Sequence, residues 1–445
     1  MMIPDKKVLL LDTTLHHKDA TGITLSNLFG AWSKDDLYMI GTPDRTKYSN
    51  EEGYHNTFDL GDNEIKHRFP LNLVKLFFSK FTKNNNEQAY VILGSYIVDN
   101  SDKKNLNNRK RNSVKNGFIK KVTTYFQLFG LDLFFFRYFL SDDLKRWIKE
   151  ADPDYLYAVL STRHSIRFAR DVVKEFNIPL VIHIMDDWPA VIGTDTLFPV
   201  SWNKIVNKEF KQLVDISYRR LAISEKMASE YKTRFGGEWD YFHNPVDVEF
   251  WGCSPKLNYK AGEPFEILYS GRISQGIIET LKKVAECIEE LVVENGFNII
   301  LRIQSNNKPE WLNFFNNSHF SYYIEYNQLP ELFSHVDVLL LPYDFVGSNF
   351  NFIRLSMPTK VSEYMISGTP ILIVSPENTA LTSSALKENW GYVIKDNEKT
   401  KIKNGIIELY SNEELRVSIG TNALNIAKQE HNIVSIQHKF MLNFQ

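Results

Sequence analysis

The sequence predicts an α/β protein built on doubly wound parallel sheets, and three observations predict it. Short apolar runs rich in Val, Ile, Leu and Tyr recur along the chain, as is typical of strands buried on both faces of a parallel sheet. Longer amphipathic stretches, such as 278–296, separate many of these runs, and this alternation favours an α/β fold. The chain has 445 residues, which allows about two to three domains.

The predicted strands are punctuated by Gly, Pro and Asp, which separates them from the predicted helices. In chain order they are 8–11, 89–94, 155–161, 179–185, 219–224, 265–271, 297–303, 336–342 and 369–375.

A domain boundary is predicted at 242–256, where Pro, Asn and Gly occur without helical periodicity. It divides the chain into a first domain over 1–243, a linker over 244–256 and a second domain over 257–425, each large enough for its own core. The helical stretch 426–445 is expected to cross back to the first domain. Two doubly wound domains facing each other leave a cleft at the carboxyl ends of their strands, where ligands bind.

Charge and composition exclude several classes of protein. Lys and Arg total 52 and Asp and Glu total 54, so the net charge of −2 argues against a nucleic-acid binder. Two cysteines are too few for a disulfide scaffold or a thiolate zinc cluster. The four-residue apolar run at 8–11 is too short for a signal peptide, and no run reaches the ~18 residues that span a bilayer. A cytoplasmic location is therefore expected.

The segment 103–139 departs from the strand–helix pattern. Residues 103–121 contain eight Lys or Arg and no acid, and residues 125–139 contain eight Phe or Tyr. This combination predicts peripheral contact with the anionic inner face of the cell membrane. The alternative is a solvated basic loop followed by a core helix. Asp132 and Arg137 argue against a spanning helix.

The strongest candidate site lies at 358–370. Pro358 suits a first helical turn, Gly368 suits a helix end and Pro370 stops the helix, so a helix is predicted over about 358–367. Its first turn would offer backbone N–H groups and the Lys360 charge to a phosphate. Glu363, three residues on, would accept two hydrogen bonds from a ribose diol. The alternative is an ordinary capped helix with an exposed ion pair.

A second candidate is the turn at 270–276, after a predicted strand. Gly271 and Gly276 would let the backbone approach a ligand, and Arg272 would bind a phosphate in bidentate fashion. The alternative is a tight turn.

Candidates in the first half are histidines and paired aspartates. Asp186 and Asp187 follow a strand and would hold Mg²⁺, act as a base towards an acceptor hydroxyl, or cap the next helix. His16 and His17 lie on the loop after the first strand. His183 lies inside an apolar run, which slightly favours an interior histidine.

Together these residues resemble the GT-B glycosyltransferases, specifically glycosyltransferase family 4. Four further segments are similar to that family in order. They are 178–190, which resembles the Asp-x-Trp-Pro segment of members that build bacterial surface polysaccharides, then 221–236, the His-Asn-Pro-Val-Asp linker at 243–247, and 332–344.

The resemblance implies two Rossmann-like domains facing a central cleft. It also implies transfer of a sugar from a nucleotide-sugar to an acceptor hydroxyl, with retention and without a metal or other cofactor. A glycan on a polyprenyl lipid is the expected acceptor. Asp186, Arg272 and Lys360 match catalytic positions. The implied donor-binding residues are Gly22, Gly271, Arg272, Gln275, Ser356, Thr359, Lys360 and Glu363. The acceptor-side candidates are His16, His17, His183 and Asp187.

Two positions depart from the family pattern. The family usually has Lys-Gly shortly after the arginine, where this chain has Gln275 and Gly276. It often has a glutamate eight residues before the second one, where this chain has Leu355. These departures keep open a non-catalytic GT-B partner. The other alternative is a different enzyme on the same fold, such as a nucleotide-sugar 2-epimerase or a phosphorylase, and the Asp-x-Trp-Pro and linker matches argue against it.

Overall fold

The structure is a computed structural model that describes residues 6–67, 129, 136–192, 196–274, 276–347 and 350–445. Its first half holds a seven-stranded parallel sheet and a separate antiparallel pair, β4 and β5. The strands are β1 Val8–Leu11, β2 Leu37–Gly41, β3 Thr57–Asp59, β4 Ile65–His67, β5 Phe136–Tyr138, β6 Tyr155–Val159, β7 Leu180–Ile184, β8 Arg219–Ala222 and β9 Asp240–Tyr241.

Helices cover this sheet and continue into the linker. They are α1 Ala20–Leu28, α2 Pro43–Glu51, α3 Asp142–Ala151, α4 Arg163–Phe176, α5 Trp188–Val191, α6 Pro199–Ile216, α7 Glu225–Phe235 and α8 Val248–Trp251. The amphipathic sequence of α4 explains its place, because its apolar stripe, including Ile166 and Val172, is fully buried while the opposite face is solvated.

The second half holds a six-stranded parallel sheet with its own helices. Its strands are β10 Phe265–Ser270, β11 Ile299–Gln304, β12 Ser318–Ser321, β13 Val338–Pro342, β14 Ile371–Val374 and β15 Tyr392–Ile394. Its helices are α9 Ile278–Asn295, α10 Leu329–His335, α11 Phe350–Ile353, α12 Lys360–Ile366, α13 Ala380–Glu388, α14 Lys399–Ser411 and α15 Glu413–Glu430; α16 Ile433–Met441 follows.

In both sheets the order in which successive strands are added reverses once. The first has the order β3-β2-β1-β6-β7-β8-β9 and the second β12-β11-β10-β13-β14-β15. The order therefore switches between β1 and β6 and between β10 and β13. Loops that follow strands at such a switch point form the ligand crevice of a doubly wound sheet. The predicted pair of parallel, doubly wound sheets is confirmed.

The predicted elements differ from the observed ones mainly at their ends. The predicted strand at 89–94 lies outside the described residues. The helix predicted from Pro358 begins at Lys360, because the Val361 N–H donates to the Pro358 carbonyl (3.0 Å) in a tighter turn. Gly368 ends the helix in the left-handed region, at φ +73°, as its position predicts. Seven short strands, each of two to five residues, were not predicted: β2, β3, β4, β5, β9, β12 and β15.

The chain crosses between the two halves twice, and the crossings are hydrogen-bonded to each other. The Val246 N–H donates to the His431 carbonyl (2.8 Å), and the Ile433 N–H donates to the Val246 carbonyl (2.9 Å). Beyond this point α16 carries Phe440 to within 5.1 Å of Phe29, ring to ring, in the first core. The C-terminal residues thus complete the first domain.

Among the described residues, no helix combines the length and the apolar character needed to cross a membrane.

Candidate active site

The end of β10 is hydrogen-bonded directly to α12. The Ser270 N–H donates to the Tyr364 hydroxyl (2.9 Å), which donates back to the Ser270 carbonyl (3.0 Å). Tyr364 is fully buried, so this pair of bonds is shielded from water. It fixes the first turn of α12 beside the loop that follows β10.

Lys360, at the start of α12, lies directly over Gly271. Its Nζ is 4.2 Å from the centre of the Tyr269 ring, a cation–π contact. Gly271 has φ +155°, and a Cβ added there would clash with the Lys360 ammonium. Burial lowers the pKa of Lys360 to about 8, against the opposing effect of Glu363. Gly271 is therefore required both for its backbone conformation and for the approach of Lys360.

Glu363 is buried one turn further along the helix. The Tyr326 hydroxyl donates to Glu363 Oε1 (3.2 Å), and the Tyr326 ring stacks on Phe250. Burial raises the pKa of Glu363 to about 7, partly offset by the Tyr326 hydrogen bond and the Lys360 charge. The predicted spacing thus brings Lys360 and Glu363 together, but in a buried site and not on an exposed helix face.

Arg272 is exposed in the loop after β10. Its charge partly opposes the rise in the pKa of Tyr323 that burial causes. The Tyr269 hydroxyl donates to the Arg272 carbonyl (2.7 Å) and holds this loop. Gln275 lies outside the described residues. Gly276 has φ +101°, so the loop uses two glycines in conformations that other residues rarely adopt.

A cavity of about 160 Å³ lies at the carboxyl ends of the first-sheet strands. Three predicted residues line it: His16, Gly22 and Asp186. A Cβ at Gly22 would lie 2.5 Å from the His16 carbonyl oxygen, so glycine is needed for this close approach. Phe352, from the second half of the chain, closes one wall. The cavity therefore lies in the first domain, on the side that contacts the second half of the chain.

Two residues of the second half contact the first half beside this cavity. The Ser356 hydroxyl donates to Asp186 Oδ1 (2.6 Å), and the Thr359 hydroxyl is 3.5 Å from the Ala20 carbonyl. Burial raises the pKa of Asp186 to about 6, opposed by the Ser356 hydrogen bond. Ser356 was predicted to bind the donor, and the structure instead places its hydroxyl on Asp186.

Two acceptor-side candidates, Asp187 and His183, have contacts that favour other roles. Asp187 is fully buried, and both its oxygens accept hydrogen bonds from Arg234 (2.8 and 2.9 Å), while Tyr231 donates to one of them. His183 Nδ1 lies 2.6 Å from the Tyr157 hydroxyl inside the core, and burial lowers its pKa to about 3. These contacts favour an interior role for His183, as the sequence slightly favoured, and a buried ion pair for Asp187, whose side chain does not cap the next helix.

His17 faces away from the cavity. Glu52 accepts from its backbone N–H (2.7 Å) and lies 2.8 Å from Nδ1. His16 is thus the one of the two neighbouring histidines that lines the cavity.

Sequence reasoning missed most of the other lining residues, among them Asp12 and Arg45. Asp12 follows β1 with φ +58°, an unusual conformation for a residue other than glycine, and burial raises its pKa. The Ser161 hydroxyl donates to Asp12 Oδ2 (3.0 Å), and Arg45 donates to the Asp12 carbonyl (3.3 Å). The position of Asp12 directly after an apolar strand was the available signal.

Among the described residues, no group of three or more His, Cys, Asp or Glu is placed to hold a metal ion.

Comparison with protein families identifies the second half of the chain. Residues 260–425 match the family model of glycosyl transferases group 1. This part of the chain is therefore similar to the group 1 glycosyl transferases. The matched residues contain the loop after β10 and all of α12, so Arg272, Lys360 and Glu363 lie within them.

Solved structures similar to the chain agree on the fold. Sucrose-phosphate synthase from Thermosynechococcus elongatus is 13% identical, with a TM-score of 0.60 and 98% of each chain covered. Anabaena HepE in complex with UDP-glucose is 13% identical, with a TM-score of 0.57 and 98% of each chain covered. A glycosyltransferase from Rickettsia africae is 10% identical, with a TM-score of 0.57, and covers 99% of this chain and 98% of its own. A search of the curated proteins finds no match.

Proposed function

We propose that the chain transfers a sugar from a nucleotide-sugar to a hydroxyl of a glycan acceptor, with retention at the anomeric carbon. The observation that carries the proposal is the half-buried Lys360 and the buried Glu363, which lie on α12 close to the loop that carries Gly271 and Arg272. HepE, whose structure contains UDP-glucose, supports a nucleotide-sugar as the donor.

The chemistry follows from the charges at the ends of β10 and α12. As the sugar leaves, negative charge grows on the nucleotide diphosphate, and fixed cations stabilise that charge. Arg272 and Lys360 are the cations that we assign to it. Glu363 would accept hydrogen bonds from the ribose hydroxyls in place of the one from Tyr326. Because these two side chains neutralise the charge on the diphosphate, the proposed reaction requires no metal ion.

The cavity in the first domain is assigned to the reacting sugar and its acceptor. Asp186 lines it and has a raised pKa of about 6, which suits a group that exchanges protons near neutral pH. His16 and Gly22 face the same space. We therefore keep Asp186 as the acceptor-side catalytic candidate, and assign Asp187 to the support of its loop.

The acceptor is proposed to be lipid-linked, as in the synthesis of cell-surface polysaccharides, with the chain bound to an anionic membrane. The basic and aromatic composition of 103–139 supports this, although of that segment only Phe129 and 136–139 are described. Leu197, Phe198 and Val200 are exposed by 55%, 57% and 81%, near Phe129, whose carbonyl accepts from Trp202 (3.3 Å). Neutralising Arg109, Lys110 and Arg111 should weaken binding to anionic vesicles, and unchanged binding would remove this part of the proposal.

The proposed function is tested with UDP-, GDP-, ADP- and dTDP-linked sugars, following released nucleotide and converted sugar by chromatography. We expect release from one donor, and loss of most release in Glu363→Ala and in Arg272→Ala. Glu294→Ala, an exposed acid at the far end of α9, is the matched control and should retain wild-type release. Wild-type release in both site variants would contradict the site.

Two other outcomes identify the alternatives. Conversion of a donor to its C2 epimer would indicate the epimerase. Nucleotide binding without turnover, in the presence of candidate acceptors, would indicate a non-catalytic partner.

A further inference from the structure

Residues 350–357, here called the bridging segment, join β13 to α12 and lie between the two domains. Leu355 belongs to the second half of the sequence, yet it is fully buried in the hydrophobic core of the first domain. Phe352 and Met357 pack against the same core. A segment of the donor-side domain is thus inserted into the acceptor-side domain.

Polar contacts hold the bridging segment to two elements of the first domain. The Ser356 hydroxyl donates to Asp186 in the loop after β7 (2.6 Å). On α7, the Ser224 cap hydroxyl donates to the Leu355 carbonyl (2.7 Å), and Glu230 forms an ion pair with Arg354. Each contact crosses the cleft.

The same segment also contacts the second domain. The Arg354 carbonyl accepts from the Ala380 N–H (2.8 Å) at the start of α13. A Cβ added to Gly276 would lie 3.1 Å from Ile353 Cδ1, so this side chain lies against the loop that carries Arg272. Displacement of the bridging segment would therefore disturb both the Arg272 loop and α12.

The distance along the chain makes this coupling tight. Lys360 is four positions after Ser356, so the backbone between them spans at most about 14 Å even when fully extended. The actual path is shorter, because residues 358–361 form a turn. If the domains separate, either Leu355 leaves the first-domain core or the start of α12 moves with the first domain. The first alternative costs the burial of an apolar side chain, so we expect the second, in which opening of the cleft and the position of Lys360 change together.

We propose that the bridging segment couples closure of the cleft to assembly of the donor site, and that Ser356 is its positioning residue. Through Asp186, Ser356 holds the segment that precedes Lys360 against the acceptor cavity. The effect on donor binding rests on the proposed function. Closure of the cleft can be measured on the protein without ligand and does not depend on that function.

The test compares two serines that each hydrogen-bond across the domains. Ser356→Ala removes the bond to Asp186, and the control Ser383→Ala removes a bond from Lys226 (2.9 Å) outside the bridging segment. Small-angle X-ray scattering measures the radius of gyration without ligand. Calorimetry measures the Kd of whichever of UDP, GDP, ADP and dTDP binds the wild type. Melting temperatures of all variants show whether the fold is retained.

We expect Ser356→Ala to increase the radius of gyration and to raise the nucleotide Kd on the order of ten-fold, with a melting temperature lowered by only a few degrees because one buried hydrogen bond is lost. Ser383→Ala should change neither, and Ser356→Thr, which keeps the hydroxyl, should restore both. Wild-type scattering and Kd in Ser356→Ala, or equal changes in Ser383→Ala, would overturn the proposal. If the wild type binds none of the four nucleotides, the proposed function fails. The scattering comparison still shows whether Ser356 holds the cleft closed.

Discussion

The substitution Gly271→Ala tests whether the position of Lys360 determines nucleotide affinity. The new methyl group would occupy the position of the Lys360 ammonium and displace it from the Tyr269 ring. A phosphate contact made by a charged donor is worth about 1.5–3 kcal/mol, so its loss should raise the nucleotide Kd by about 10- to 100-fold. Isothermal titration calorimetry with the nucleotide that binds the wild type measures this change.

The matched control for this variant is Gly296→Ala. Gly296 ends α9 at φ +71°, with no atom within 4 Å of an added Cβ. Its substitution introduces an unfavourable backbone conformation, costing about 1 kcal/mol of unfolding free energy, without a clash. Both variants should therefore lose stability in urea unfolding, while Gly271→Ala alone should lose nucleotide affinity. Equal affinities for the two variants would refute the assigned role of Lys360.

Three further changes test the site and its support. Nucleotide affinity should rise as the pH passes about 7, because Glu363 loses its proton there and can then accept hydrogen bonds from the ribose. It should fall above about pH 8, because Lys360 loses its proton and its charge. Titrations of Glu363→Gln should show only the fall. Arg234→Ala should lower the unfolding free energy by about 3 kcal/mol, because it leaves Asp187 buried without its cation, and calorimetry should show an unchanged nucleotide Kd. Leu355→Glu should lower the melting temperature without raising turnover, since it puts a carboxylate into an apolar core.

The parts of the molecule that sequence predicts best are those determined by local pattern. The strand β13, Val338–Pro342, is buried at every position, so its continuous apolar run indicates it directly. The pairing of Lys360 with Glu363 follows from helical spacing, because residues three apart share a helix face. The exposure of that face does not follow from spacing. It depends on Tyr326 and Tyr269, which reach the pair from other elements.

The contacts that define the acceptor side connect residues distant in sequence. Ser356 and Asp186 are 170 residues apart, and no local pattern relates them. Asp186 and Asp187 are adjacent and chemically identical, yet one lines the cavity and the other is paired with Arg234 in the interior. Their side chains meet partners on different elements: Asp186 accepts from Ser356 in the second half of the chain, and Asp187 accepts from Tyr231 and Arg234 on α7.

The departure at Leu355 has a structural explanation that the sequence comparison lacks. Counted from Glu363, this position is where the family often has a second donor-side glutamate, so leucine suggests a weakened site. In the structure the Leu355 side chain is fully buried in the first-domain core. A glutamate here would be buried among apolar groups. The leucine therefore reflects the course of the bridging segment, and it does not count against an active donor site formed by Arg272, Lys360 and Glu363.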